Sequence, residues 1–264
     1  MSDAPVLLDV SPAGVAVVTI NRPDKHNAFN AEIVAALSDM FETLRANSAE
    51  VRMVILRGAG ASFSAGADLE WMQRAAHFDE VDNEEDALAL AVMLRRLYEL
   101  PQMTVALVQG AAMGGGAGLL AACDIGVVMK DAKIRFSEVK LGLTPATISP
   151  YVVRAIGPKW ARALFVSGEG FDGDFAYHIG LAQYVVANME EMTQIEEHLA
   201  TLAFAAAPGA IADAKELVDY VVDRDIDHGL AVHTAKAIAK RRVSEEGREG
   251  LAAFLEGRKP SWAE

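Results

Sequence analysis

The sequence predicts an α/β fold built on a mainly parallel sheet, and three observations carry that prediction. Short β-branched runs alternate with stretches of helical spacing through the first 190 residues, the pattern of right-handed strand–helix–strand crossovers. Two of those runs, residues 51–58 and 104–110, each lead into a glycine-bearing loop that opens a helix: Ser64-Ala65-Gly66-Ala67-Asp68 and Gly114-Gly115-Gly116. From Pro150 onward the pattern is almost wholly helical, apart from residues 182–187.

The elements follow in order. Residues 6–10 and 15–21 are β-branched runs separated by Ser-Pro-Ala-Gly and read as an opening hairpin. A polar loop, 22–28, comes next. Asn30 is placed to cap a helix running to about Ala46, with Ile33, Leu37, Met40, Phe41 and Leu44 recurring at helical spacing. The strand at 51–58, the first glycine loop and a short helix from Leu69 follow. Residues 77–86 are acidic and irregular, and read as a flap or as the lead-in to a helix ending near Leu100. The strand at 104–110, the glycine triplet, a short helix to Cys123 and a strand at 125–129 complete the alternating part.

Composition narrows the function classes. With 264 residues, 52% of them hydrophobic, the chain can bury a large core. Its formal charge of −13 supplies no basic stripe for nucleic acid or for an anionic membrane surface. The longest apolar stretch, 105–129, is broken by Gln109, six glycines and Asp124, and fails as a membrane span. Cys123 is the only cysteine, so no intrachain disulfide is possible; the start MSDAPVLLDV lacks a cationic n-region and an apolar h-region. These features predict a soluble, cytoplasmic protein.

The two loops suggest the chemistry. Strand-to-helix turns leave backbone N–H groups unpaired, and two such turns can aim two donors at one point, which suits a thioester or amide carbonyl becoming an oxyanion. A dinucleotide site is disfavoured: Gly-Gly-Gly-Ala-Gly is not G-x-G-x-x-G, and no strand-end acid follows at the usual spacing.

Further motifs sharpen this. Asn21-Arg22-Pro23 with Asn27-Ala28, Phe63-Ser64-Ala65-Gly66-Ala67-Asp68-Leu69, Gly114-Gly115-Gly116 and Cys123-Asp124-Ile125 occur in an order and at spacings that resemble the enoyl-CoA hydratase/isomerase (crotonase) superfamily. The likeness extends through Gly142-Leu143-Thr144-Pro145 and Arg154-Ala155-Ile156-Gly157 to the tail at 253–260. It implies a crotonase-like core of repeated ββα turns wound as a spiral, over residues 1–190. A helical C-terminal trimerisation region at 191–264 would complete the chain, giving homotrimers or hexamers.

The resemblance also implies site residues. The N–H groups of Ala67 and Gly115 would grip the thioester carbonyl of an acyl-CoA. Lys25, His26, Ala28, Ala65, Asp68, Leu69 and Gly114 would line the coenzyme A, mostly through backbone, and Phe254 and Lys259 would reach a neighbouring subunit's ligand. No cofactor beyond the coenzyme A of the substrate, and no metal, is implied.

Hydratases of this family carry two glutamates. The second has its match in Glu138; the first falls at Gly118, which has no side chain. Glu138 is therefore the one carboxylate expected to move protons. A single acid can serve hydration of a 2-enoyl-CoA, or it can shift a double bond as a Δ3-Δ2-enoyl-CoA isomerase does. Residues 62–72 and 143–153 resemble more narrowly the bacterial 3-methylglutaconyl-CoA hydratases of leucine breakdown. For the second carboxylate of such a substrate, Arg135, Lys140 and Arg154 are the candidate cations. Cys123 reads as a small core residue and Asp124 as a partner for buried backbone.

Overall fold

The computed structural model describes residues 4–263. The chain opens with the hairpin β1 (Val6–Val10) and β2 (Val15–Ile20), then α1 (Ala31–Ala46), β3 (Met53–Gly58), α2 (Leu69–Ala75) and α3 (Glu80–Tyr98). There follow β4 (Met103–Val108), β5 (Ala111–Met113), α4 (Gly115–Ala122), β6 (Ile125–Met129) and β7 (Lys133–Arg135). The rest comprises α5 (Ser149–Ser167), β8 (Gly170–Phe171), α6 (Gly173–His178), β9 (Tyr184–Val186), α7 (Met189–Ala205), α8 (Pro208–Val221), α9 (His228–Arg242) and α10 (Glu245–Glu256).

The main sheet has the order β1-β2-β3-β4-β6-β9, parallel throughout except for the β1–β2 hairpin. Both faces of its central strands are covered, as parallel sheets require. Along β3, Val54 and Leu56 pack into the core with α1, α3 and α4, while Met53 and Ile55 face Met192, Leu199 and Ala203 of α7. A second sheet, β5-β7-β8, is small and pairs β5 with β7 in parallel. The sequence pattern did not show it, because three-residue strands are too short for alternation to register.

Helix starts obey local capping chemistry. Asn30 accepts from the Ile33 N–H, as expected for α1. Residues 77–86 decide between the two readings in favour of the helix lead-in: Asp79 accepts from Asp82 N–H and α3 begins at Glu80. Acidic residues in a first turn favour a helix, since they face its positive end.

Register positions the site. Strands β3 and β4 are adjacent and parallel, with Arg57 opposite Leu107, so their following loops leave from the same edge of the sheet. The two loops stay paired beyond it: Ser64 bridges Ala112, its N–H donating to Ala111 O while Met113 N–H donates to Ser64 O. No helix among the described residues is long and apolar enough to cross a membrane.

Candidate active site

Phe29 fixes the first loop. Its N–H donates to Gly66 O (2.6 Å) and its carbonyl accepts from Asp68 N–H (2.7 Å). In a strand-like pairing, bonds made by the residues on either side of Ala67 turn the Ala67 N–H to the opposite side. That N–H has no acceptor among the described residues, and Ala67 is exposed. Gly66 makes the turn at φ 87°, against Met113 O, where a side chain would find neither room nor a favourable backbone.

The second loop supplies the matching donor. Gly114 caps α4 at φ 48°, and its N–H donates to Arg135 O. Gly115 is the first helical residue, so its N–H lies beyond the intrahelical ladder and has no acceptor among the described residues. A Cβ on Gly115 would meet the Phe29 ring at 2.9 Å. Phe29 thus touches both loops, through its backbone on one and its ring on the other. Sequence reasoning missed it; its only signal was an aromatic residue between Ala28 and the helix cap.

Glu138 joins this pair through the small sheet. Strand β7 places Arg135 opposite Met113, and the chain then turns into a 3-10 segment, Glu138–Leu141. A Cβ on Gly114 would lie 3.3 Å from Glu138 Oε1, so the carboxyl rests against the second loop. Its Oε2 is buried without a partner. Burial raises its pKa above the ordinary glutamate range, opposed more weakly by its own backbone N–H. An acid lifted in this way holds and releases a proton closer to neutral pH.

The predicted ligand-lining residues divide into two sets. Ala28, Ala65 and His26 meet at the first loop, where Ala65 N–H donates to His26 O and His26 faces Ser62 Oγ at 3.4 Å. Lys25 is exposed and pairs with Glu70 at 3.2 Å; Leu69 is 75% exposed. Asp68 offers only backbone outward. Its carboxylate accepts from the Glu70 and Trp71 N–H groups and pairs with Arg22 at 2.7 Å. These partners outweigh burial and hold its pKa below the ordinary range. Phe254 and Lys259 stand exposed at and beyond the end of α10, with no hydrogen bond or ion pair to either loop among the described residues.

Of the three candidate cations, Arg135 and Lys140 both lie against the turn at residues 168–170. Arg154 stands 3.9 Å from Asp219, which also accepts from the Tyr98 hydroxyl. Lys140 packs against Gly168, and the Arg135 guanidinium covers Gly170 with a buried, unpartnered Nε. Asp124 does tie buried backbone: it accepts from Thr104 N–H at 2.8 Å and from Lys215 Nζ at 2.8 Å. Burial pushes the Cys123 thiol upward, with Asp124 adding to the effect, so it is no ready nucleophile.

A cleft of about 440 Å3 between α1 and α3, lined by Val34, Ser38, Trp71, Asp86 and Arg96, includes none of Ala67, Gly115 and Glu138. What marks the site is therefore not cavity size but two unpaired donors on adjoining loops with a half-buried acid against one of them. That constellation can stabilise an enolate and transfer a proton.

Residues 11–264 match the model of the family described as enoyl-CoA hydratase/isomerase. The chain belongs to that family.

The enoyl-CoA hydratase/isomerase assignment is matched by relatives. A Thermus thermophilus protein provisionally named enoyl-CoA hydratase is 34% identical over 96% of this chain and 99% of its own length. The short-chain-enoyl-CoA hydratase of Clostridium acetobutylicum is 32% identical, covering 93% of this chain and 92% of that one. Among solved structures, a Legionella pneumophila protein provisionally named enoyl-CoA hydratase/isomerase (crotonase) superposes with a TM-score of 0.92 at 43% identity. That match covers 99% of this chain and 100% of the other. The crotonase-type fold expected from the sequence is thereby shown, and the chain is an enzyme of the enoyl-CoA hydratase/isomerase family.

Proposed function

We propose that this enzyme hydrates a branched, acidic 2-enoyl-CoA, with 3-methylglutaconyl-CoA as the leading substrate, using Glu138 as its single acid–base residue. The observation that carries the proposal is the half-buried Glu138 carboxyl, its Oε2 without a partner, against Gly114 and beside the two unpaired N–H groups of Ala67 and Gly115. The thioester oxygen accepts both N–H bonds. Water adds to Cβ and yields a proton to the Glu138 carboxylate; the carbon–carbon double bond becomes an enolate whose charge sits between the two donors. Glu138 then returns a proton to Cα, so that one water is added across the double bond. Each donor aimed at developing charge contributes about 3–4 kcal/mol.

The coenzyme A would run past Lys25, His26, Ala28, Ala65, Asp68 and Leu69. Assembly as a trimer or a dimer of trimers is supported by the exposed apolar side chains of α10, where Phe254 is 82% and Leu255 83% exposed. The lone Cys123 supports a reducing, cytoplasmic setting.

The test is a panel of enoyl-CoA esters followed by the absorbance of the conjugated thioester. Loss of absorbance with 3-methylglutaconyl-CoA, faster than with straight-chain esters, is the expected result. A second reading, Δ3-Δ2-enoyl-CoA isomerase, is favoured by the absence of any side chain at Gly118. It requires absorbance to appear from a 3-enoyl-CoA while every 2-enoyl-CoA stays unchanged.

A further inference from the structure

Ser64 is fully buried where the two glycine loops meet the polar loop before α1. Its backbone pairs with the second loop: its N–H donates to Ala111 O at 2.9 Å and its carbonyl accepts from Met113 N–H at 3.0 Å. Its Cβ and carbonyl also lie against Gly116, where an added Cβ would sit 2.8 Å from Ser64 Cβ and 2.9 Å from Ser64 O. The hydroxyl serves the first loop. It donates to Asn27 O at 2.9 Å and accepts from Gly66 N–H at 3.3 Å, two tasks that one small hydroxyl can combine. Asn27 is a firm anchor, buried at φ 56°, with its amide bonded to Ala59 O, Ser62 O and Arg22 N–H.

We propose that Ser64 is a positioning residue for the reaction: its hydroxyl fixes the turn that aims the Ala67 N–H, while its backbone fixes that turn against the loop carrying Gly115. This rests on the reading that the two N–H groups hold the thioester carbonyl. Peptide units are planar, so rotation about the Gly66 backbone swings the next peptide as a body, and its N–H is that of Ala67. Gly66 sits at φ 87°, where a glycine is held only by what its neighbours bond. Phe29 holds the Gly66 carbonyl on one side of it. On the other side the Gly66 N–H has, among the described residues, no acceptor besides the Ser64 hydroxyl. Removing that hydroxyl frees the turn and strands Asn27 O as well. Misplacing a group by about 1 Å at a reacting centre can cost about 10²-fold in rate.

The carbonyl stretch of bound butyryl-CoA, a saturated ester that cannot be hydrated, reads the donors directly, because hydrogen bonds to a carbonyl lower its frequency. In the parent it is expected below the free value, and Ser64→Ala is expected to lose about half of that shift. On 3-methylglutaconyl-CoA the same variant should lower kcat about 10- to 100-fold, with KM changed by less than about threefold. Thr104→Val is the control. Thr104 is equally buried, and its hydroxyl also donates and accepts, both with Asp124, near the start of β4 and away from the loops. It should lower Tm as Ser64→Ala does, by about 5 °C, and leave kcat and the carbonyl shift unchanged. A full parental shift in Ser64→Ala, or an equal loss in Thr104→Val, would overturn the positioning role. If Ser64→Ala does not fold, Ser64→Cys fills the same space with weaker hydrogen bonds and should lose part of the shift; a full shift there overturns the proposal equally. A parent that binds butyryl-CoA with no shift, or leaves every 2-enoyl-CoA unchanged, would overturn the functional reading instead. In the second case the shift still reports on Ser64.

Discussion

The two loops present one N–H each, yet they are held by opposite means. The first is fixed by polar bonds: Phe29 backbone on both sides of Ala67, Asp68 capping α2 and pairing with Arg22, and Asn27 donating to Ala59 O and Ser62 O. The second is fixed by the absence of side chains. Glycines at 115 and 118 let the Phe29 ring and Ile148 approach to distances that a Cβ would forbid, and Gly114 leaves Glu138 close against the turn. One donor is therefore vulnerable to lost charge and lost hydrogen bonds, the other to added volume.

Substitutions can break or sharpen that contrast. The largest effect is expected at the acid leaning on the second loop. Glu138→Gln keeps the volume and removes the proton carrier, so turnover should fall about 10³-fold while calorimetry shows acyl-CoA binding retained. Substantial remaining turnover would mean another group moves the proton. In the parent, the raised Glu138 pKa places the loss of its basic form above the ordinary glutamate range, so kcat should fall as pH drops through that raised value.

Gly115→Ala comes next. Its methyl would meet the Phe29 ring and push one donor aside, costing about 10²-fold in kcat with a small change in Tm. If Phe29→Leu relieves the clash, part of that loss should return; no recovery would show that the ring does not set the donor's position.

At the first loop, Asp68→Ala removes a helix cap and leaves Arg22 unpaired. It should destabilise by about 2 kcal/mol near neutral pH, seen as a fall in Tm of about 5 °C. The sign with pH follows from the lowered Asp68 pKa: its stabilisation is complete above the ordinary aspartate range and is lost as pH falls through the lowered value. Parent and variant should therefore converge in acid, and a difference that persists there would remove the ion pair from the account.

The smallest effect belongs to the rim. Lys25→Ala breaks an exposed pair with Glu70 and should change stability by about 0.5 kcal/mol or less. If coenzyme A phosphate competes for Lys25, the same variant should raise KM severalfold with kcat unchanged.

Much of this was legible in the residues themselves. The α1 cap at Asn30, the hairpin, the strand at Ile125–Met129 and the role of Asp124 follow from local rules: capping, alternation, and the need of buried N–H groups for acceptors. Residues 77–86 stayed open between flap and helix lead-in because acidic composition also reads as solvated loop until a cap and a dipole are considered together. Sheet β5-β7-β8 escaped detection because its strands gain stability from pairing with distant residues, not from their own pattern.

The sequence by itself determined the family, the pair of glycine loops and the presence of Glu138 with a glycine at 118, since each depends on which residues are present and how far apart they stand. Only the tertiary structure decided what surrounds them. That Phe29 serves both loops, that Asp68 is fully engaged within the protein, and that Ile148 fills the room above Gly118 are facts of close packing between segments far apart in the chain. A glycine records in the sequence that a side chain is missing; the fold alone says which atom has taken its place.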